Sequence, residues 1–469
     1  MRKVIILFIA ILATTINNHA TVFQPVKPRV IVMTDGEIDD RSSMVRFLLY
    51  TNEFDVEAII QSNSVHQHFG RSSDKWLEKQ LDAYEQVRPN LIVHDPEYPT
   101  AEFLRSKTYI GDEDTAHLVV DNDSYKRVPG MDPQIDPSDW VDTPGSERIV
   151  EVLLKDDPRP VYFTAWGGSN TLARALYKLK TVYPDQYDKA VSKVILYSIW
   201  YQDGAGSYIE KVHPKATILL SYYFYKTWAY GSQTFSFPFI HEVQNNYGPL
   251  GALYPQPYVS EGDSPSFLYL LQNGLRSLEN PTFGGWGGRF YKVDGYENLY
   301  RDAGEGDYWR WIEYANRDFQ SRLMWSITQK YKNANHYPVI KVIGNNDQTV
   351  HSGDIVTIET KISDNDSIQL SELVRFYPFL TDTEKEQTDE ELAESVSGWL
   401  PVDIVWQQYK EAGTFNGMVQ FDIFDKEKIQ FIAPVVDKPE TIHVIVQATD
   451  RGIPRLTAFE RFIINILPK

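Results

Sequence analysis

A chain of 469 residues that is 42% hydrophobic, 13% aromatic and 23% charged has the composition of a globular protein large enough for more than one domain. Its net charge of −18 disfavours nucleic acid and anionic membrane surfaces as partners and leaves metal cations and neutral polar ligands open. With no cysteine it has no disulfide or thiol chemistry.

Residues 1–20, MRKVIILFIAILATTINNHA, read as a secretory signal. Arg2 and Lys3 are followed by an apolar run at 4–13, and Asn18-His19-Ala20 forms a small-residue exit, so cleavage is expected near Ala20. The run is too short to cross a bilayer, which takes about 20 apolar residues. An exported protein without cysteine points to a bacterial periplasm or exterior.

From 28 to about 335, short β-branched runs alternate with helical ones. PRVIVMTD, VEAIIQSN, RPVYFTAW, KVILYSIW and KATILLSY are the predicted strands. SSMVRFLLYTN, DKWLEKQLDAYEQV, SERIVEVLLKDD and NTLARALYKLKTVY carry apolar residues at helical spacing. This alternation predicts an α/β domain with a mostly parallel sheet and helices on both faces. Residues 225–307, rich in Gly, Pro, Trp and Tyr, are expected as irregular loops over the sheet, followed by a helix in WIEYANRDFQSRLMWSIT. Period-two segments then take over, as in TVHSGDIVTIETKIS, TIHVIVQATD and RFIINILP. They predict a C-terminal antiparallel β-sandwich over 336–469. Its acidic turns, DNDS (364–367) and ATDRG (448–452), resemble those of cadherin-like modules, and TEKEQTDEELAE (383–394) reads as a charged insertion.

The chemistry concentrates in TDGEIDD, where Asp35, Glu37, Asp39 and Asp40 crowd between the first strand and the first helix. Open α/β sheets bind ligands at such strand ends. Capping of the helix dipole accounts for one or two of these acids. The whole group suits a hard cation with irregular oxygen coordination, Ca²⁺ before Zn²⁺.

A strand, D-x-x-x-D-D and a helix together resemble the opening motif of the inosine–uridine nucleoside hydrolases, commonly DxDPGxDD. Asp35, Asp39 and Asp40 match its last three aspartates, its first falls on Met33, and its Pro-Gly pair falls on Gly36-Glu37. The resemblance implies Ca²⁺ held by Asp35, Asp40, the backbone carbonyl near Trp166 in FTAWGGSNTLARAL and Asp318 in the late helix. It implies Asp35 as the base that deprotonates a water, and Asp39 as a ligand of sugar hydroxyls. Asn63, His66, Asn170, Gln202, Asp203 and Trp286 are the further candidates for the sugar, Trp286 and the Trp166 ring as stacking faces.

The departures narrow the substrate. Arg317 stands where several family members carry a histidine that protonates the leaving base, and YQDGAGSY replaces the glutamate–phenylalanine–asparagine sugar-binding run. The metal machinery therefore looks kept and the nucleobase apparatus does not. RPVYFTAWGGSNTLARAL, Gln202-Asp203, GDSPSFLYLLQNGL, FGGWGGRF and ATDRGIPRLTAFERFIINI are similar to a divergent branch, secreted nucleoside hydrolase-like proteins described as cellulose-binding, with a C-terminal β-domain. The expectation is Ca²⁺-dependent hydrolysis of a glycosidic bond in a saccharide. The alternative is a non-catalytic protein that binds cellulose or another polysaccharide in the same pocket.

Overall fold

The computed structural model describes residues 26–118, 135–229, 234, 237–255, 260–364, 366 and 402–469. The expected signal at 1–20, the charged insertion at 383–394 and part of the 364–367 turn lie outside them.

The run VIVM explains how the first strand is built in. Val30 and Val32 point into one hydrophobic cluster, Ile31 and Met33 into another on the opposite face, and all four are fully buried. A strand buried on both faces needs no polar alternation, which is the mark of a parallel sheet between helices. The strands are β1 (Arg29–Thr34), β2 (Asp55–Gln61), β3 (Thr108–Ile110), β4 (Val161–Ala165), β5 (Val194–Ile199), β6 (Thr217–Ser221), β7 (Phe290–Lys292) and β8 (Leu299–Asp302). They form one 8-stranded sheet in the order β3-β2-β1-β4-β5-β6-β8-β7. Its pairs are parallel except β7 with β8.

The helices are α1 (Ile38–Leu48), α2 (Trp76–His94), α3 (Ala101–Ser106), α4 (Pro144–Leu154), α5 (Asn170–Val182), α6 (Pro184–Val191), α7 (Ala205–Val212), α8 (Phe224–Thr227), α9 (Pro238–Asn246), α10 (Gly248–Gly251), α11 (Ser264–Leu268) and α12 (Gly306–Ile327). α1, α2, α11 and α12 pack on one face and α4, α5 and α7 on the other. The stretch at 225–307 departs from its expected irregularity. It carries short helices and two strands that extend the sheet, each too short to leave a periodic signal.

The C-terminal strands are β9 (Val339–Ile343), β10 (Asp347–His351), β11 (Ile355–Ser363), β12 (Asp403–Gln408), β13 (Asp422–Asp425), β14 (Lys428–Ile432), β15 (Glu440–Thr449) and β16 (Thr457–Leu467). They form two 4-stranded sheets, β10-β16-β15-β12 and β13-β14-β11-β9. Val356, Ile358 and Phe431 of one meet Val444, Phe462 and Ile464 of the other in a shared core. The expected antiparallel pairing holds except that β10 joins β16 in parallel. No helix among the described residues is long and apolar enough to cross a membrane.

Candidate functional site

β1 lies between β2 and β4, so the chain turns in opposite directions from neighbouring strands and leaves a crevice at their carboxyl ends. The crevice receives Asp35 after β1 and Trp166-Gly167-Gly168 after β4. Asp40 ties the first turn together: its Oδ1 accepts from the Asp35 N–H at 3.0 Å and from the Thr34 hydroxyl. Gly36, at φ 74°, makes the bend, and α1 opens with Asp39 and Asp40 in its first turn.

A third acid arrives from far along the chain. Asp263 precedes α11, and one carboxylate oxygen each from Asp39, Asp40 and Asp263 lies within 4.8 Å of the others. Asp263 makes no side-chain capping bond to its own helix. Its Oδ2 and that of Asp35 are buried without a hydrogen-bond partner. A buried, unpaired carboxylate oxygen is costly, so the arrangement calls for a counter-charge.

The electrostatics agree. Burial, then the charges of Asp35 and Asp39, push the Asp40 carboxyl well above the usual range. Asp263 is pushed up by burial and then by Asp40, Asp39, Asp35 and Glu37. Glu37 rises to about 8 through burial, Asp35 and Asp39, with Arg71 opposing. Like charges crowded in low dielectric stay charged only when a cation compensates them. The donors are hard oxygens in irregular array, which fits a Ca²⁺-like ion.

Glu37, Asp39 and Asp40 line a cavity of about 450 Å³ together with Trp200, Phe224 and Tyr225. Trp200 packs edge-on against Phe224 at 4.8 Å and tilted against Tyr225 at 5.6 Å. Exposed His66 stands at the rim, 6.3 Å from the Trp200 ring. Desolvation lowers its pKa more than Asp35 raises it.

The remaining expected residues fall into two groups. Trp166, Gln202, Asn63, Asn170 and Asp203 belong to the crevice, mainly as its frame. The Trp166 carbonyl faces the Gln202 amide, which donates to it and to the Ile199 carbonyl. The Trp166 ring is buried and donates to Ser266 Oγ at 2.9 Å, and the residue contributes to the cavity lining. Asn63 donates to the His68 carbonyl at 3.3 Å and Asn170 to that of His117 at 3.1 Å. Both keep a buried carbonyl oxygen without a partner. Asp203 caps α5 by accepting from the N–H groups of Ser169 and Asn170, and also accepts from that of Ala205. These bonds lower its pKa, but burial outweighs them and raises it to about 6.

Asp318 and Trp286 lie elsewhere, which corrects two expectations. On α12 the four-residue spacing puts Asp318 beside Arg322, and they form a buried ion pair at 3.1 Å. Both line a second cavity of about 510 Å³, which Trp286 also borders, 2% exposed. The distant acid of the cluster is thus Asp263. Its signal was present as Asp-Ser-Pro at a helix start in GDSPSFLYLLQNGL, and the aromatic wall was foreshadowed by YYFY directly after β6.

Comparisons with known proteins agree with this fold. No curated protein matches the chain. A solved structure described as a nucleoside hydrolase-related hypothetical protein from Saccharophagus degradans, associated with carbohydrate metabolism, is 28% identical. It superposes with a TM-score of 0.74, covering 95% of this chain and 100% of that one. The effector protein XOO4466, at 11% identity and a TM-score of 0.35 over 65% of this chain and 93% of its own, is too remote to argue from. The family model for the C-terminal domain of cellulose-binding protein Sde0182 matches residues 401–466. The model described as cellulose-binding Sde182, nucleoside hydrolase-like domain, matches residues 29–290, and the chain belongs to that family.

Proposed function

We propose that the protein is an exported, Ca²⁺-dependent hydrolase of a glycosidic bond in a polysaccharide. The observation that carries this reading is one cavity lined both by Asp39 and Asp40, two of the three converging acids, and by the Trp200–Phe224–Tyr225 wall. Sugar hydroxyls suit a hard cation, and the C–H faces of sugar rings suit aromatic faces. The cellulose-binding name of the family supports a glucan as ligand, and the charged-then-apolar opening of the chain supports export. We place the boundary between the hydrolase-like domain and the C-terminal β-domain near residue 335.

Asp39, Asp40 and Asp263 would hold the cation with Asp35 beside them, and a bound Ca²⁺ would orient hydroxyls and acidify a water. The chain's own residues do the rest. Asp35 Oδ2, buried and unpartnered, accepts the proton of the attacking water. Gly167 keeps that oxygen uncovered, since a Cβ there would stand 2.8 Å from it. Asn63 and Asn170 offer unpartnered carbonyl oxygens to hydroxyl groups, and the aromatic wall orients the ring. Attack by a water in a single step inverts the anomeric centre.

The leaving oxygen has to draw its proton from solvent, because the two side chains weighed for a general acid are poor donors. His66 has a lowered pKa, and Arg317 pairs with Glu313 on α12. This observation favours the second reading, in which the same cavity binds polysaccharide without cutting it. Calcium titration by calorimetry and release of reducing sugar from cellulosic substrates, with and without chelator, separate the two. Tight binding with chelator-sensitive release supports the hydrolase. Tight binding without release supports the receptor, and absence of calcium binding rejects both as written.

A further inference from the structure

Trp200 adopts the left-handed backbone region, at φ 56°. A bulky residue enters that region only when its surroundings hold it there. Its N–H donates to the Ser221 carbonyl at 3.1 Å, and its carbonyl accepts from the Ser198 hydroxyl. Ser221 closes β6. The next two residues, Tyr222 and Tyr223, donate their N–H groups to Asp302 Oδ2 at 2.7 and 2.6 Å. The Tyr308 hydroxyl donates to the same oxygen at 3.1 Å and that of Ser221 at 3.4 Å. Asp302 ends the neighbouring strand β8, is 1% exposed and does not line the cavity. From the turn it holds, α8 starts and carries Phe224 and Tyr225 against the Trp200 ring.

We infer that Asp302 is a positioning residue for saccharide binding: it folds the β6–α8 turn so that Trp200 and Tyr225 form a wall for a sugar ring beside the acid cluster. The ligand class rests on the reading given above, but the geometry of the wall does not. A carboxylate or an amide oxygen at this place can accept from both backbone N–H groups. Asp302 Oδ1 has no partner, so Asn can keep its oxygen on the turn and set its nitrogen where it meets no donor. Ala leaves both N–H groups unpaired.

The test uses the full chain labelled with 5-fluorotryptophan, the Trp200 resonance being assigned through Trp200→Phe. Cellohexaose in the presence of calcium chloride is the probe. In Asp302→Ala the Trp200 resonance is expected to move or broaden. Cellohexaose affinity should fall about tenfold while calcium affinity stays within about twofold. Asp302→Asn should restore both the resonance and the affinity. If Asp302→Ala does not fold, Tyr308→Phe, which removes one donor, should shift the same resonance and weaken binding by a few fold. A Trp200 resonance unmoved in the folded variant overturns the inference, and so does a joint loss of calcium and sugar binding. If the wild type binds no cellohexaose, the saccharide reading fails and the Trp200 resonance alone decides the positioning role.

Discussion

Asp318 accepts from Arg322 at 3.1 and 3.3 Å, whereas Asp263 has a buried oxygen with no hydrogen-bond partner and several acids around it. The same side chain therefore carries different chemistry in the two places. Asp263→Asn should lower calcium affinity by about 100-fold, read by calorimetry, because it removes a charged ligand oxygen. In chelator the same variant should gain about 1 kcal/mol in urea unfolding, since it relieves repulsion among the acids. Asp318→Ala should do the reverse. Calcium affinity stays unchanged, and stability falls by about 3 kcal/mol because Arg322 loses a buried partner. Equal calcium affinities in wild type and Asp263→Asn would exclude Asp263 as a ligand. Asp35, Asp39 and Asp40 were legible in the sequence because one turn gathers them. Asp263 was not, since its approach depends on how α11 packs against α1. Trp286 misled for a related reason. Its flanking glycines suggest exposure, yet Gly287 sits so close to Pro265 and Tyr269 that the loop folds inward and buries the ring.

At the level of elements, the β4–α5 loop sets the geometry around Asp35 through its glycine pair. A Cβ on Gly167 would meet the Asp35 side chain at 2.7 Å, and one on Gly168 would meet Asn63 O and Asp203 Oδ2 at 2.5 Å. Contacts that short force a neighbour to move. Gly167→Ala is expected to displace Asp35 and lower turnover by about 100-fold, as a misplacement near 1 Å does. Gly168→Ala should mainly strain the frame, costing about 2 kcal/mol in denaturant unfolding. Turnover of Gly167→Ala equal to wild type would remove Asp35 from its assigned role. The five strands predicted from β-branched runs all stand in the sheet, because five to seven buried residues carry a readable pattern. β3 and β7, at three residues each, do not. Their place is decided by the strands beside them, which no local window contains.

On the scale of the whole molecule, the sheet domain and the C-terminal strands share a core. Phe459 packs edge-on against Trp311 at 5.4 Å, and buried Arg461 donates to the carbonyls of Leu275, Phe283 and Gly284. Deleting 336–469 should therefore give an aggregated product rather than a free nucleoside hydrolase-like domain, read by size-exclusion chromatography. A cation held by the acid cluster would act through linkage, with its sign fixed by the shifts. Glu37 rises in the folded protein from 4.5 to about 8, and Asp40 and Asp263 shift the same way. The folded state then binds protons more tightly than the unfolded one. That advantage is complete below about pH 4.5 and is lost as pH rises through 8, where the acids must ionise against one another. A bound cation replaces those protons and removes the loss. Asp450, at about 8, Glu460, at about 7, and Asp203 and Asp302, at about 6, titrate in the same window, but none belongs to the Asp39–Asp40–Asp263 triad, so they are expected to act equally with or without calcium. The difference in Tm between calcium and chelator samples thus isolates the cluster. It should be near zero at pH 5 and grow to about 2 °C at pH 8.5, corresponding to stabilisation on the order of 2 kcal/mol. A difference that is flat across this range, or largest at pH 5, would mean that the acids of TDGEIDD and Asp263 do not share an ion.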